Sequence, residues 1–288
     1  PTGLPTGLPT GLPTGLPTGL PTTSPTAAPT EAPTLSPSSA PTTSPTAAPT
    51  AAPSEAPTLS PTGSPTPAPI GPGTFADNAE LKNAVGEWMA NSGTAEEKYG
   101  PMGEWDVSRV TDLVETFRDK HGHRTQSFDF DIGDWDVSRV TNMYSMFRGA
   151  YLFNADISGW DVSSVTNMYG LFFYAWAFNQ DISAWDVSSV KNMYYTFFDA
   201  RAFNQDIGGW DVSEVTDMYS TFSMAKVFNA DIGDWDVSQV TTMYGMFEQA
   251  RAFNADIRHW DVSQVTNMGL MFQNSALHPD NAPWYYNP

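Results

Sequence analysis

Residues 160–184 read WDVSSVTNMYGLFFYAWAFNQDISA, and Trp185 begins the same pattern again. Trp-Asp-Val-Ser-x-Val starts at Trp105, Trp135, Trp160, Trp185, Trp210, Trp235 and Trp260, so the interval is 25 residues throughout except for a first interval of 30. A fixed period in this range marks stacked supersecondary units, because one unit cannot bury its own apolar face and needs its neighbours to do so.

Two hydrophobic periods follow one another within the unit. Trp160 and Val162 alternate with Asp161 and Ser163, after Ile157, as in a short strand with one buried face. Met168, Phe172, Ala175 and Phe178 are then spaced by four, three and three, one side of a helical or 3₁₀ segment that Thr166 or Asn167 is suited to cap. Residues 178–182 turn the chain back toward the next unit. The expectation is an α/β repeat solenoid, with a short parallel strand and a short helix or 3₁₀ segment per coil, in seven repeats over residues 105–276.

The units WDVSxVTNMxxMFxxAxxFNxDI resemble the BspA-like leucine-rich-repeat surface proteins, over roughly residues 75 to 276. The resemblance implies a leucine-rich-repeat-like solenoid exposed at a cell surface, and it implies no defined ligand. Against the common pattern LxxLxLxxN, Ile157, Trp160 and Val162 fit, while Val165 stands where Asn is usual.

Upstream the composition changes. Eighteen of the 24 prolines fall at every fourth position from Pro1 to Pro69. With only Leu and Ala to bury, residues 1–73 cannot offset their ordering entropy, and proline favours extended polyproline II; the expectation is a disordered or polyproline-II tail. A four-residue repeat on a helix of three residues per turn moves each Pro-Thr pair about 120° around the axis, so hydroxyls point in every direction. That suits O-glycosylation at Thr2, Thr6, Thr10, Thr14, Thr18, Thr22, Thr26, Thr30, Thr34, Ser38, Thr42, Thr46, Thr50, Ser54, Thr58, Thr62 and Thr66. By composition the tail resembles hydroxyproline-rich and mucin-like glycoproteins, which adds Pro1, Pro5, Pro9, Pro13 and Pro17 as candidate hydroxylated, sugar-bearing positions. No Asn-x-Ser/Thr sequon occurs.

Between tail and repeats, Leu81, Ala84, Val85, Trp88 and Met89 define an amphipathic helix, with Asp77 and Glu80 as a capping box and Asn78 as a competing cap. Residues 74–104 read as an N-terminal cap on the first coil. Residues 277–288, with Trp284, Tyr285 and Tyr286, read as a C-terminal tail that either covers the last coil or docks on a neighbour.

In-register stacking turns each repeated position into a row. The Trp row and the Phe row from Phe117 to Phe272 are core. Asn154, Asn179, Asn204, Asn229 and Asn254 are placed to satisfy backbone groups of successive turns. Asp106, Asp136, Asp161, Asp186, Asp211, Asp236 and Asp261 fall on the face opposite Trp and Val, and form the candidate binding surface. Carboxylates about 5 Å apart repel by roughly 0.8 kcal/mol per pair in water. Hydrogen bonds, a shared proton or a cation such as Ca²⁺ would relieve this, and the Ser row that repeats beside the Asp row points to the first. His121 and His123, with Asp129 or Asp131, are a weaker metal candidate in the five-residue insertion, where a solvated loop is the plainer reading.

The formal net charge is −19, carried almost wholly by the repeats, which argues against nucleic acid and anionic membrane as partners. There is no cysteine and no run long enough to span a bilayer, and the sequence opens at Pro1 without Met or an apolar leader; the expectation is a signal peptide either removed or upstream of a fragment. Catalysis needs groups in different environments, and here the carboxylates are equivalent, so an enzyme is disfavoured. The first expectation is a secreted, fibre- or matrix-forming glycoprotein whose partners are its own copies or matrix proteins. The second is a cell-surface adhesin or receptor-like module on a glycosylated spacer. No cofactor is expected beyond the Ca²⁺ alternative.

Overall fold

Among the described residues, three α-helices frame a long run of turns. The computed structural model describes residues 71–118 and 130–286. These all fall in the compact unit that runs from Gly63 to Pro288. The tail with its glycosylation candidates, and His121, His123 and Asp129 of the insertion, lie outside the described residues.

Helix α1 spans Asn78–Ala90 and α2 spans Ser92–Tyr99. Asp77 caps α1 by accepting from the Glu80 N–H at 3.0 Å, while Glu80 accepts from the Ala76 N–H at 2.8 Å. Leu81, Ala84 and Val85 are buried against the first repeat. Asn78 lies inside the helix and ties it down. Its amide donates to the Asp112 carboxylate and the Val114 carbonyl, and its oxygen accepts from the Thr116 hydroxyl at 2.9 Å.

Successive repeats lie side by side in register. Parallel bridges join Asp112 to Asn142, Asn142 to Asn167, Asn167 to Asn192, Asn192 to Asp217, Asp217 to Thr242 and Thr242 to Asn267. Phenylalanine rings stack from unit to unit, Phe147 on Phe172 at 5.7 Å and Phe197 on Phe222 at 5.3 Å. Beside them Trp160 stacks on Trp185 and Trp185 on Trp210, both at 6.5 Å.

The local conformation differs from the expected strand and helix. Among the described residues of the repeats there is neither; each bridge is a single residue, and the rest is turns. The Trp-Asp-Val stretch closes on itself instead of forming a ladder. The Trp160 N–H donates to the Ile157 carbonyl, the Val165 N–H donates to the Val162 carbonyl, and the Asp161 side chain takes the Ser163 N–H. Side chains that bond their own backbone compete with extended structure in this way.

The segment expected to be helical is a chain of overlapping β-turns. In the second repeat the N–H groups of Met146, Arg148 and Ala150 donate to the carbonyls of Met143, Ser145 and Phe147. Those of Met143, Ser145, Phe147 and Gly149 point outward, to the carbonyls of Asn167, Tyr169, Leu171 and Phe173 in the next repeat. Alternate amides therefore hold the turn and hold the neighbour. This needs left-handed backbone at two positions per repeat, Ser145 and Gly149 here with φ of 52° and 76°, and at their described equivalents elsewhere φ lies between 47° and 61°. Such a turn places φ > 0 at its third residue.

Candidate functional site

Two features of the repeats face outward, each built from one residue per unit, and a third terminates them. The first is the Asp row. Asp106, Asp136, Asp161, Asp186, Asp211, Asp236 and Asp261 are all exposed. Each carboxylate accepts from the N–H of the serine two residues on, at 3.0 or 3.1 Å. In the first four the serine hydroxyl donates to the same oxygen at 2.6 or 2.7 Å. These bonds, the hydroxyl first, hold the carboxyls of Asp106 and Asp186 below the usual carboxylate range, and the Asp211 carboxyl is lowered by Ser213 as well.

A parallel row behaves alike. Asp156 and Asp181 accept from the N–H groups of Ser158 and Ser183, and Asp206 and Asp231 from those of Gly208 and Gly233. Among the described residues no three of His, Asp and Glu converge on a point that could hold a metal ion. Asp131 is exposed.

The asparagine row runs between units. The Oδ1 of Asn154 accepts from the Asn179 N–H at 2.8 Å, and the pattern continues through Asn204, Asn229 and Asn254 to the His278 N–H. Each unit thus satisfies a backbone donor of the next.

The second feature is aromatic. Tyr144, Tyr169, Tyr194, Tyr219 and Tyr244 form a half-buried column with ring centroids 4.7, 4.8, 4.5 and 5.0 Å apart. Burial pushes the phenols of Tyr169, Tyr194 and Tyr219 up. Tyr195 meets Tyr169, Tyr194 and Tyr219 edge-on in the middle of this column, Phe173 and Phe198 stack on one another and pack edge-on against Tyr195, and Arg148 lies over the Phe173 ring at 4.7 Å. Sequence reasoning overlooked this column. Its signal was the Tyr that follows Met in five consecutive units.

The third feature is the pair of ends. At the N-terminal end Phe75 and Trp88 pack on Trp105 with centroids 5.1 and 5.7 Å away, and Thr74 pairs with Asp106. At the C-terminal end Trp284 stacks on Trp260 at 6.4 Å and Tyr285 meets Phe272 edge-on at 4.9 Å. The last repeat keeps one open stretch. The N–H groups of Met268, Leu270, Phe272 and Asn274, whose equivalents bond the next unit elsewhere, make no hydrogen bond among the described residues.

The geometry defines a tandem-repeat protein whose 25-residue units pair in parallel and share one aromatic core. The chain belongs to the family described as "Mycoplasma protein of unknown function, DUF285", whose model matches residues 87–208 and again residues 193–285. Comparison with curated proteins and with solved structures gives no match. No helix among the described residues is long and apolar enough to cross a membrane.

Proposed function

We propose that this chain is a BspA-like surface protein in which the repeats stack as a leucine-rich-repeat-like solenoid and serve as a rigid, non-enzymatic binding module, held out from the cell on a glycosylated Pro-Thr/Ser spacer. The observation that carries this reading is the closure of the tryptophan row at both ends, by Phe75 and Trp88 over Trp105 and by Trp284 over Trp260. End-to-end stacking of copies needs both ends bare. With its tryptophan row closed, the array presents its sides, where the Asp rows and the tyrosine column lie, and this favours the tethered module over the fibre. The family match supports the surface-protein part of the reading.

The experiment is electron microscopy and sedimentation of the native secreted material, with mass spectrometry of tail peptides before and after deglycosylation. Single particles with sugar on the Pro-Thr/Ser segment are expected. Filaments would return the matrix-fibre reading, and a tail mass equal to the bare polypeptide would remove the glycosylated spacer.

A further inference from the structure

One surface row departs from the acidic character of the rest. The position two residues before the recurring Phe-Asn holds Tyr151, Trp176, Arg201, Lys226 and Arg251 in consecutive units. The first three are fixed side by side, since the Ala177 N–H donates to the Tyr151 carbonyl and the Ala202 N–H to the Trp176 carbonyl, both at 3.1 Å. Two residues on, Phe203 stacks on Phe228 and Phe228 on Phe253, both at 6.1 Å, which carries the register through Lys226 and Arg251.

Arg201 is held in place. Its guanidinium lies 3.9 Å from the centre of the Trp176 ring and grips the buried Asp199 carboxylate with two bonds, at 2.9 and 2.8 Å. Lys226 and Arg251 are exposed and make no ion pair among the described residues. In a chain with 32 acidic and 13 basic residues, a line of three cations in successive units is a local reversal of sign.

We propose that this row binds an anionic polysaccharide of the polyuronate type, lying across the units with its carboxylates on Lys226 and Arg251. Two residues on, Phe228 and Phe253 stand 6.1 Å apart, which places the two cations in neighbouring units within the span of one or two pyranose rings of an extended chain, so that one polyuronate strand brings carboxylates to both. Val227, beside Lys226, is 46 % exposed and offers an apolar contact to the ring faces. The overall negative charge sets a limit on affinity and makes binding sensitive to salt. The inference stands apart from the choice between tethered module and fibre, since either presents the row.

The test titrates the full chain with polygalacturonate, at low ionic strength and with a chelator present, by calorimetry or affinity electrophoresis. The double variant Lys226→Glu/Arg251→Glu is expected to weaken binding by about tenfold or more, with the melting temperature unchanged because neither side chain makes an ion pair among the described residues. Arg109→Glu/Arg139→Glu applies the same charge change elsewhere and is expected to weaken it by less than about threefold, through long-range repulsion alone. Several results would overturn the proposal: no binding by the wild type, equal losses in the two double variants, or binding that appears only when Ca²⁺ is added, which would route it through the Asp rows. Equal or tighter binding of polyglutamate or single-stranded DNA would assign the row to an acidic peptide or a nucleic acid instead.

Discussion

The indole N–H of Trp284 donates to the carbonyl oxygen of Ile257 at 3.0 Å. The same bond recurs along the array, from Trp160 to Ile132, Trp185 to Ile157, Trp210 to Ile182, Trp235 to Ile207 and Trp260 to Ile232, at 2.9 to 3.1 Å. Phenylalanine would stack equally well but has no donor, so the bond accounts for tryptophan at this position. Trp284 therefore occupies the place of an eighth repeat tryptophan although it follows Trp260 by 24 residues and belongs to no full unit.

Replacing Trp284 separates stacking from hydrogen bonding. Trp284→Phe keeps most of the ring contact and leaves the Ile257 carbonyl unmet, which is expected to cost about 1 kcal/mol. Trp284→Ala also uncovers Trp260 and Phe272 and is expected to cost about 3 kcal/mol, with loss of solubility. Urea denaturation of both variants measures this, and equal costs would mean that the bond contributes nothing.

The left-handed positions give a second prediction. Gln249 sits at φ 58° and is half-buried, in a conformation that costs a side chain about 1 kcal/mol relative to its right-handed form. Gln249→Gly is expected to be neutral or slightly stabilising, and Gln249→Val, branched at Cβ, to destabilise by about 1 to 2 kcal/mol. Gly245 behaves in the opposite sense. At φ 60° a Cβ would stand 2.9 Å from the Ser220 hydroxyl, so Gly245→Ala strains both backbone and neighbour. Melting temperatures that rank Gln249→Val above Gln249→Gly would refute the assignment of these turns.

The rows were legible in the sequence because identical spacing forces identical neighbours whatever the local conformation. The Trp, Phe and Asn columns follow from that alone. What failed was the conformation between them. Met168, Phe172, Ala175 and Phe178 are spaced as on a helix, yet overlapping β-turns give nearly the same spacing while sending alternate amides to the next unit. The usual signal for left-handed backbone is Gly or Asn, and only Gly149, Gly170, Gly245 and Asn274 carry it, while Tyr174, Tyr195, Asp199, Met224 and Gln249 stand at equivalent positions, so the signal does not recur with the repeat. The indole bond was equally hidden, since its acceptor lies 28 residues earlier in most units.

The open stretch of the last repeat predicts an asymmetry in amide exchange. The N–H groups of Met243, Gly245, Phe247 and Gln249 donate to carbonyls of the last unit at 2.7 to 2.9 Å and are expected to be strongly protected. Those of Met268, Leu270 and Asn274, one unit on, are expected to exchange at least about a hundredfold faster, near the rate of open structure. Equal protection in the two sets, measured by NMR or fragment mass spectrometry, would mean that something covers this edge.

Asp217 gives a pH-dependent prediction. It stands in the bridge row where Asn142, Asn167, Asn192 and Asn267 carry a neutral amide, and its Oδ1 accepts from the Tyr219 N–H at 2.9 Å as those amides accept from their own turns. Burial pushes the Asp217 carboxyl above the usual range. Because the folded state disfavours its charge, the stability of the wild type falls as pH rises from the ordinary Asp value of about 3.9 through the raised one. Asp217→Asn keeps the acceptor and removes the charge. It is expected to raise the melting temperature at neutral pH and to change nothing in acid below the ordinary value. The carboxyls of Asp106, Asp186 and Asp211 act in the opposite sense, since their lowered pKa values contribute stability that is lost as pH falls, but this loss is common to both proteins and cancels in the difference. A difference in melting temperature that stays constant from acid to neutral pH would show that the substitution acts through something other than the Asp217 charge.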